Sequence, residues 1–190
     1  MKAKESEGTE HVIFTLSLTF ILILGTLCYT YFSPKQKSTF LQFSVLEDGK
    51  LADSRRGLKV GEAINLTLCI KNKFGREAQT FIDLSIWNQT TVTMPLQYNG
   101  LKLFEGVIKN EEQLVIPLSL KIEEISVVNR YVYIHEISIN GERHEMVDIR
   151  SVNGSNFRFI FSLYEYNVNM RSFNDQTQLW NQIWFNLAST

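Results

Sequence analysis

Histidine is the side chain best suited to proton transfer or metal binding near neutral pH. The sequence sets His135 and His144 on either side of an Asn140-Gly141 pair. Asn-Gly between two apolar-rich runs predicts a two-residue β-hairpin, because both positions tolerate positive φ. That hairpin would pair Ile139 with Glu142, Ile137 with His144 and His135 with Met146. His135, His144 and Glu142 would then share a face, with the histidines diagonal at about 7–8 Å. Side chains so placed are able to converge on a metal ion. A third ligand at suitable spacing is missing, so the pair reads first as two polar residues of a half-exposed ribbon, and only second as metal ligands.

The remaining reactive types are similarly isolated. Carboxylates occur at Glu111-Glu112, Glu123-Glu124 and Glu142 with Glu145. Neighbours in a strand point to opposite faces, so the adjacent pairs do not form the facing dyad that glycoside hydrolysis needs. Phosphate-loop, G-x-S-x-G, H-E-x-x-H and calcium-loop patterns are missing. Of the two cysteines, Cys28 lies in an apolar run and Cys69 in the body of the chain. They are not expected to pair, which excludes a disulfide framework and a cysteine zinc site. The reading is of a non-enzyme with no cofactor. Trp87, Trp180, Trp184, Tyr98, Tyr131, Tyr133, Tyr164 and Tyr166 are expected mainly to pack the sheets. Their second reading is a surface for a sugar or a protein.

The elements that carry these residues read as strands. Short apolar-rich runs alternate with turn signals from Thr39 onward, the pattern of an antiparallel β-sandwich. Strands are predicted at Thr39–Leu46, Ala63–Lys71, Thr80–Trp87, Thr91–Gln97, Leu101–Ile108, Leu114–Ile122, Tyr131–Ile139, Glu142–Ile149 and Phe157–Tyr166. Lys50–Arg56 reads as loop. Asn99-Gly100 predicts a further hairpin. The clearest strand puts Ile64, Leu66, Leu68 and Ile70 on one face; Phe157, Phe159, Phe161 and Leu163 are predicted to do the same later. Gln178–Leu187 fits either a helical stripe or a strand with Leu179, Ile183, Phe185 and Leu187 on one face. Strand is preferred for its Trp and Ile content.

Ahead of the strands, Val12–Phe32 holds no Asp, Glu, Lys, Arg, His, Asn or Gln. It matches the roughly 20 residues that cross a bilayer as a helix. Val12, Phe14, Leu16, Leu18, Phe20, Ile21, Leu22, Ile23, Leu24, Leu27 and Phe32 would meet lipid. The run exceeds the apolar region of a signal peptide and no A-x-A site follows, so it is expected to stay as an anchor. The predicted organisation is a charged head over 1–11, a transmembrane helix over 12–32, a linker over 33–38 and a β-sandwich over 39–190. Lys2 and Lys4 precede the helix, Lys35 and Lys37 follow it, and the charge rule is near a tie. The N-x-[ST] sequons at Asn65, Asn88 and Asn153 tilt the β domain toward the extracytoplasmic side, where they would accept N-glycans. A net charge of −1 draws the chain to no nucleic acid.

Several stretches resemble one family. They are Phe40-x-x-Phe43-x-x-Leu46, Asp48-Gly49-Lys50-Leu51-Ala52, Leu58-Lys59-Val60-Gly61-Glu62, Ile70-Lys71-Asn72, Arg158 to Tyr164, and Leu179-Trp180-Asn181-Gln182-Ile183-Trp184. In this order they resemble predicted archaeal membrane proteins that share an ectodomain of unknown function. Leu51 interrupts that family's G-K-A, and Ser54-Arg55-Arg56 stand where it has Tyr-Pro. The resemblance implies an anchored, outward-facing immunoglobulin-like β-sandwich linked to the envelope and to surface glycosylation, and it transfers no catalytic residue. The expected function is a single-pass, membrane-anchored interaction module. It would be an accessory subunit of an envelope or membrane complex, binding a protein or a glycan. The alternative is a pilin- or archaellum-like filament subunit, in which Gly8 would end a leader ahead of the apolar helix.

Overall fold

A computed structural model describes residues 14–27, 39–52, 56–88, 100–167 and 172–187. Arg56, Asn167 and residues 172–178 are described by backbone alone. The chain divides into two units, Met1–Lys37 and Ser38–Thr190.

In the first unit residues 14–27 are α-helical, and every side chain of that helix is exposed. At a rise of 1.5 Å per residue the helix is about 21 Å long, short of a hydrocarbon core of about 30 Å. Among the described residues no helix is long and apolar enough to cross a membrane. Val12 and Phe32, the predicted ends of the span, lie outside the described residues.

The second unit is mainly β. Its strands are β1 (Leu41–Glu47), β2 (Lys50–Leu51), β3 (Arg56–Leu58), β4 (Ala63–Asn72), β5 (Ala78–Trp87), β6 (Leu101–Ile108), β7 (Gln113–Val128), β8 (Tyr131–Ile139), β9 (Glu142–Val152), β10 (Phe157–Asn167) and β11 (Ser172–Leu187). They form a six-stranded sheet in the order β2-β1-β4-β7-β8-β9 and a five-stranded sheet in the order β3-β11-β10-β5-β6. All described pairings are antiparallel except β3 with β11. One apolar cluster joins both sheets, so their inner faces make a single sandwich core.

Alternation decides which face is inner. On β4 Ile64, Leu66, Leu68 and Ile70 are buried, while Asn65 on the opposite face is exposed. Phe157, Phe159, Phe161 and Leu163 of β10 enter the core from the other sheet, and Phe159 stacks on Phe185 at 4.4 Å. Strand β10 lies at the centre of its sheet and is buried on its outer face too, at Arg158, Ile160, Ser162 and Tyr164. Gln178–Leu187 belongs to β11 and is strand as predicted, with Ile183, Phe185 and Leu187 buried.

Three two-residue turns fix the hairpin registers. Asp48-Gly49, Asn129-Arg130 and Asn140-Gly141 each hold both residues at positive φ, the twist that suits right-handed strands. Several predicted bounds change. Lys50–Arg56 is not simply loop, because β2 folds back on β1 and Arg56 opens β3. Leu114–Ile122 belongs to the first part of a strand, Gln113–Val128, that runs six residues further. Residues 89–99, with the predicted strand Thr91–Gln97, Tyr98 and the Asn99 half of the predicted Asn99-Gly100 hairpin, lie outside the described residues.

Asn72 ties the β4–β5 turn to its neighbours. It is fully buried; its amide donates to the carbonyls of Arg76 and Ile108 at 2.8 Å, and its Oδ1 accepts from the Phe74 N–H at 2.9 Å.

Candidate functional site

The β8–β9 hairpin does not assemble the predicted histidine pair. Ile139 pairs with Glu142 and Ile137 with His144, as the turn dictates, but the register breaks between Ile134 and Glu136. Ile134 pairs with Ile149 on one side and Ile125 on the other, and Glu136 with Glu145 and Glu124. His135 is thus the extra residue of a bulge against β7, while against β9 it lies opposite the longer stretch Met146–Asp148 and has no Cα partner on Met146. Its side chain is exposed, whereas His144 shares the inner face with the buried Ile137. A bulge re-aims its side chains, which is why an uninterrupted alternation misplaces His135. Among the described residues no group of three His, Cys, Asp or Glu is placed to hold a metal ion.

The bulge instead completes an aromatic row on the outer face of the six-stranded sheet. Tyr131 and Tyr133 lie 6.5 Å apart by ring centroids. Tyr133 and His135 lie 6.3 Å apart and nearly parallel. The Ser126 hydroxyl lies 2.7 Å from His135 Nε2 and fixes that ring. Arg150 of β9 pairs with Tyr133 and folds its guanidinium over both tyrosines, at 5.5 Å and 5.9 Å. It also donates to the Tyr133 hydroxyl at 3.3 Å, an interaction that raises its already high pKa. Val128 and Val152 flank Tyr131 in register and are 51% and 48% exposed; Tyr131 is 39% exposed.

Beside this platform a groove of about 310 Å³ is lined by Arg150, Tyr131 and Val152 on one side and Asn88, Ser155 and Asn156 on the other. Within this lining the Asn88 amide donates to the Arg150 carbonyl. The carbonyl of Gly154 in the adjoining β9–β10 turn accepts from Leu187 at 2.8 Å. The groove is therefore built on hydrogen-bonded strand ends.

Arg150 and Arg130 carry no ion pair among the described residues, whereas Lys121 is paired with Glu123 and Arg143 with Glu136 on the same sheet. Lys121 holds the Glu123 carboxyl below its usual pKa. At the tyrosine end of this face Arg150 and Arg130 are thus without an ion pair; at its other end Lys71, in register with Gln113, has none either among the described residues.

On the other sheet, the outer face buries two charged groups. Asp83 is 1% exposed and Arg158 is 3% exposed. Burial pushes the Asp83 carboxyl up to about 6, and neither of its oxygens finds a hydrogen-bond partner among the described residues. Burial lowers the pKa of Arg158, whose guanidinium lies 4.9 Å over the Trp184 ring and donates to Gln182 at 3.3 Å. Asp83 pairs in register with Ser162, and Arg158 with Trp87, so the two do not face each other.

The other predicted residues fall as follows. Tyr164 is buried against Phe81. Trp87, Trp184 and Tyr166 are half-buried, and Trp180 is exposed. The aromatic set therefore splits, with Tyr131 and Tyr133 alone joining Arg150. Asn65 and Asn153 are exposed, Asn153 in a turn at φ 53°, and Asn88 is half-buried in the groove. Glu111 and Glu112 sit in the β6–β7 turn, where Glu112 accepts from the Lys109 N–H at 2.7 Å. Cys69 is half-buried on the outer face of β4.

The sequence matches no family model. It also matches no curated protein. Among solved structures it is similar to a CARDB domain from Pyrococcus furiosus, crystallised in complex with di-metal ions. The identity is 9%, over 80% of this chain and 97% of that one, with a TM-score of 0.38. It is also similar to the Pseudomonas fluorescens alkylpurine DNA glycosylase AlkC bound to DNA containing an abasic site analogue. There the identity is 16%, over 60% of this chain and 31% of the glycosylase chain, with a TM-score of 0.32. The two-sheet fold is defined by this chain's own strand pairings.

Proposed function

We propose that this chain is a membrane-anchored, non-enzymatic interaction module, an accessory subunit that presents a β-sandwich of immunoglobulin-like kind outside the cytoplasm. The observation that carries this reading is the position of the tyrosine–arginine platform. The chain enters the sandwich at Leu41, which pairs with Asn72 beside the Gln113 end of β7. The platform lies at the Val128 end of that 16-residue strand. Strand rise puts the two ends on the order of 50 Å apart. Tyr and Arg are the types that dominate binding hot spots, and here they sit far from the point where the chain enters the sandwich.

The apolar run Val12–Phe32 supports the anchor, and the exposed Asn65 and Asn153 are compatible with glycosylation. The test is extraction of membranes from expressing cells. The full chain should stay in the pellet through alkaline carbonate and be released by detergent. Release by carbonate alone would overturn the anchored reading. The filament alternative is favoured by the sequential order of apolar helix and β unit. An intact mass lacking Met1–Gly8 would support it.

A further inference from the structure

The membrane-anchored reading leaves the partner's chemistry open, and the platform narrows it. Resting on that reading, we infer that the Tyr131–Tyr133–Arg150 platform docks an extended acidic segment of a partner protein, with a partner carboxylate on the Arg150 guanidinium and partner apolar side chains on Val128 and Val152.

Charge selects the ligand's sign. Towards the platform, the basic residues Lys121 and Arg143 of this sheet are neutralised by their own Glu123 and Glu136, and the unpaired Lys71 lies at the far, Gln113 end. Arg150 and the exposed Arg130 at the adjacent turn form no ion pair among the described residues. Asp148, nearby in the same strand, adds to the rise in the Arg150 pKa without an ion pair. The guanidinium is already held by two tyrosine rings and by the Tyr133 hydroxyl. Such a group loses little freedom when it binds a carboxylate, and its remaining donors form a fork that matches one.

Geometry selects a polypeptide over a sugar. A pyranose binds aromatic residues by laying its C–H face on an open ring face. Arg150 covers that face of both tyrosines. What stays open is the guanidinium edge, the two valines and the polar groove with Asn88, Ser155 and Asn156. A carboxylate beside apolar side chains fills this set; a neutral saccharide does not.

The sheet also gives the segment a direction. Glu124, Glu136 and Glu145 lie in register across β7, β8 and β9, three positions along β8 from Tyr133. Strand rise makes that about 10 Å. Arg143 offsets Glu136 alone. The docked segment should therefore place its acid toward Arg150 and a basic residue about 10 Å away, over the glutamates.

The test uses the full chain in detergent micelles and a displayed random dodecapeptide library. Enriched peptides should carry Asp or Glu beside an apolar residue. Their binding should weaken at least tenfold on Arg150→Gln, and less than twofold on Arg143→Gln, which alters an arginine already paired with Glu136. Tyr133→Phe should weaken it two- to fivefold, because the guanidinium loses its hydroxyl anchor. Raising NaCl from 0.05 to 0.5 M should weaken it further. No enrichment, enrichment without acidic residues, or unchanged affinity in Arg150→Gln would each overturn the inference. So would tighter binding of a hexagalacturonate probe than of any peptide, which would make the ligand an acidic glycan. Membrane extraction is scored separately on the same variants. A chain that stays anchored while these binding results fail removes the ligand assignment and leaves the anchored reading standing.

Discussion

Asp83 is the residue at which pH should reach the fold. Its carboxyl, ordinarily at 3.8, rises to about 6 in the folded chain. Between those values the folded state binds the proton that the unfolded state has released. This group therefore contributes full stability below about pH 4, loses it as pH rises toward 6, and is constant above. At about 1.4 kcal/mol per pH unit the whole effect is on the order of 3 kcal/mol. Asp83→Asn should raise the thermal midpoint at pH 7.5 and leave it nearly unchanged at pH 4, read by circular dichroism across that range. A wild-type midpoint that rises between pH 4 and 6, with the variant parallel to it, would contradict the assignment. Asn72 is the opposite case, a buried polar group with every partner in place. Asn72→Ala strands the Ile108 carbonyl and the Phe74 N–H, each worth about 1–3 kcal/mol when buried and unbonded. A loss of about 3 kcal/mol is expected by denaturant titration.

At the scale of elements, the turns show what a sequence can and cannot announce. Asn140-Gly141 is readable because those residue types are made for positive φ. Asn129-Arg130 makes the same kind of turn at φ 49° and 71°, but arginine carries no such signal, so β7 reads as ending at Ile122 rather than Val128. The His135 bulge is invisible for a related reason. Alternation defines a face only while the register holds, and register is a property of two strands. The alternating cores of β4 and β10 are legible because one face of each is wholly apolar. The outer face of β10 is not, since Arg158 and Ser162 read as solvent-facing until their central place in the sheet is known. The same logic makes Arg130 a strained position. An L-residue held in the left-handed region costs roughly 1–2 kcal/mol, so Arg130→Gly should stabilise the second unit by about 1 kcal/mol in the same titration. A destabilised variant would mean that the Arg130 side chain holds the turn.

At the scale of the whole molecule, the two units pose opposite solvent problems. The sandwich buries its apolar residues between two sheets. The helix over 14–27 buries none of its own, and Phe14, Leu16, Phe20, Ile21 and Leu22 are all more than half exposed. Apolar surface left in water costs about 25 cal/mol per Å², so the exposed apolar face of the helix favours a covering. On the anchored proposal that covering is lipid. A charge at the middle of such a segment costs about 3 kcal/mol on insertion, which is roughly a hundredfold in partition. Leu22→Arg should therefore move most of the chain from the carbonate-resistant pellet to the supernatant. Leu51→Arg provides the control, because Leu51 is as exposed as Leu22 but lies on the edge strand β2. It should leave the distribution unchanged. If instead the helices cover one another in a filament, the wild-type chain should sediment as detergent-resistant particles with Met1–Gly8 removed, and Leu22→Arg should abolish the particles. Sedimentation in detergent and intact mass on these three proteins separate lipid from self-assembly as the helix's environment.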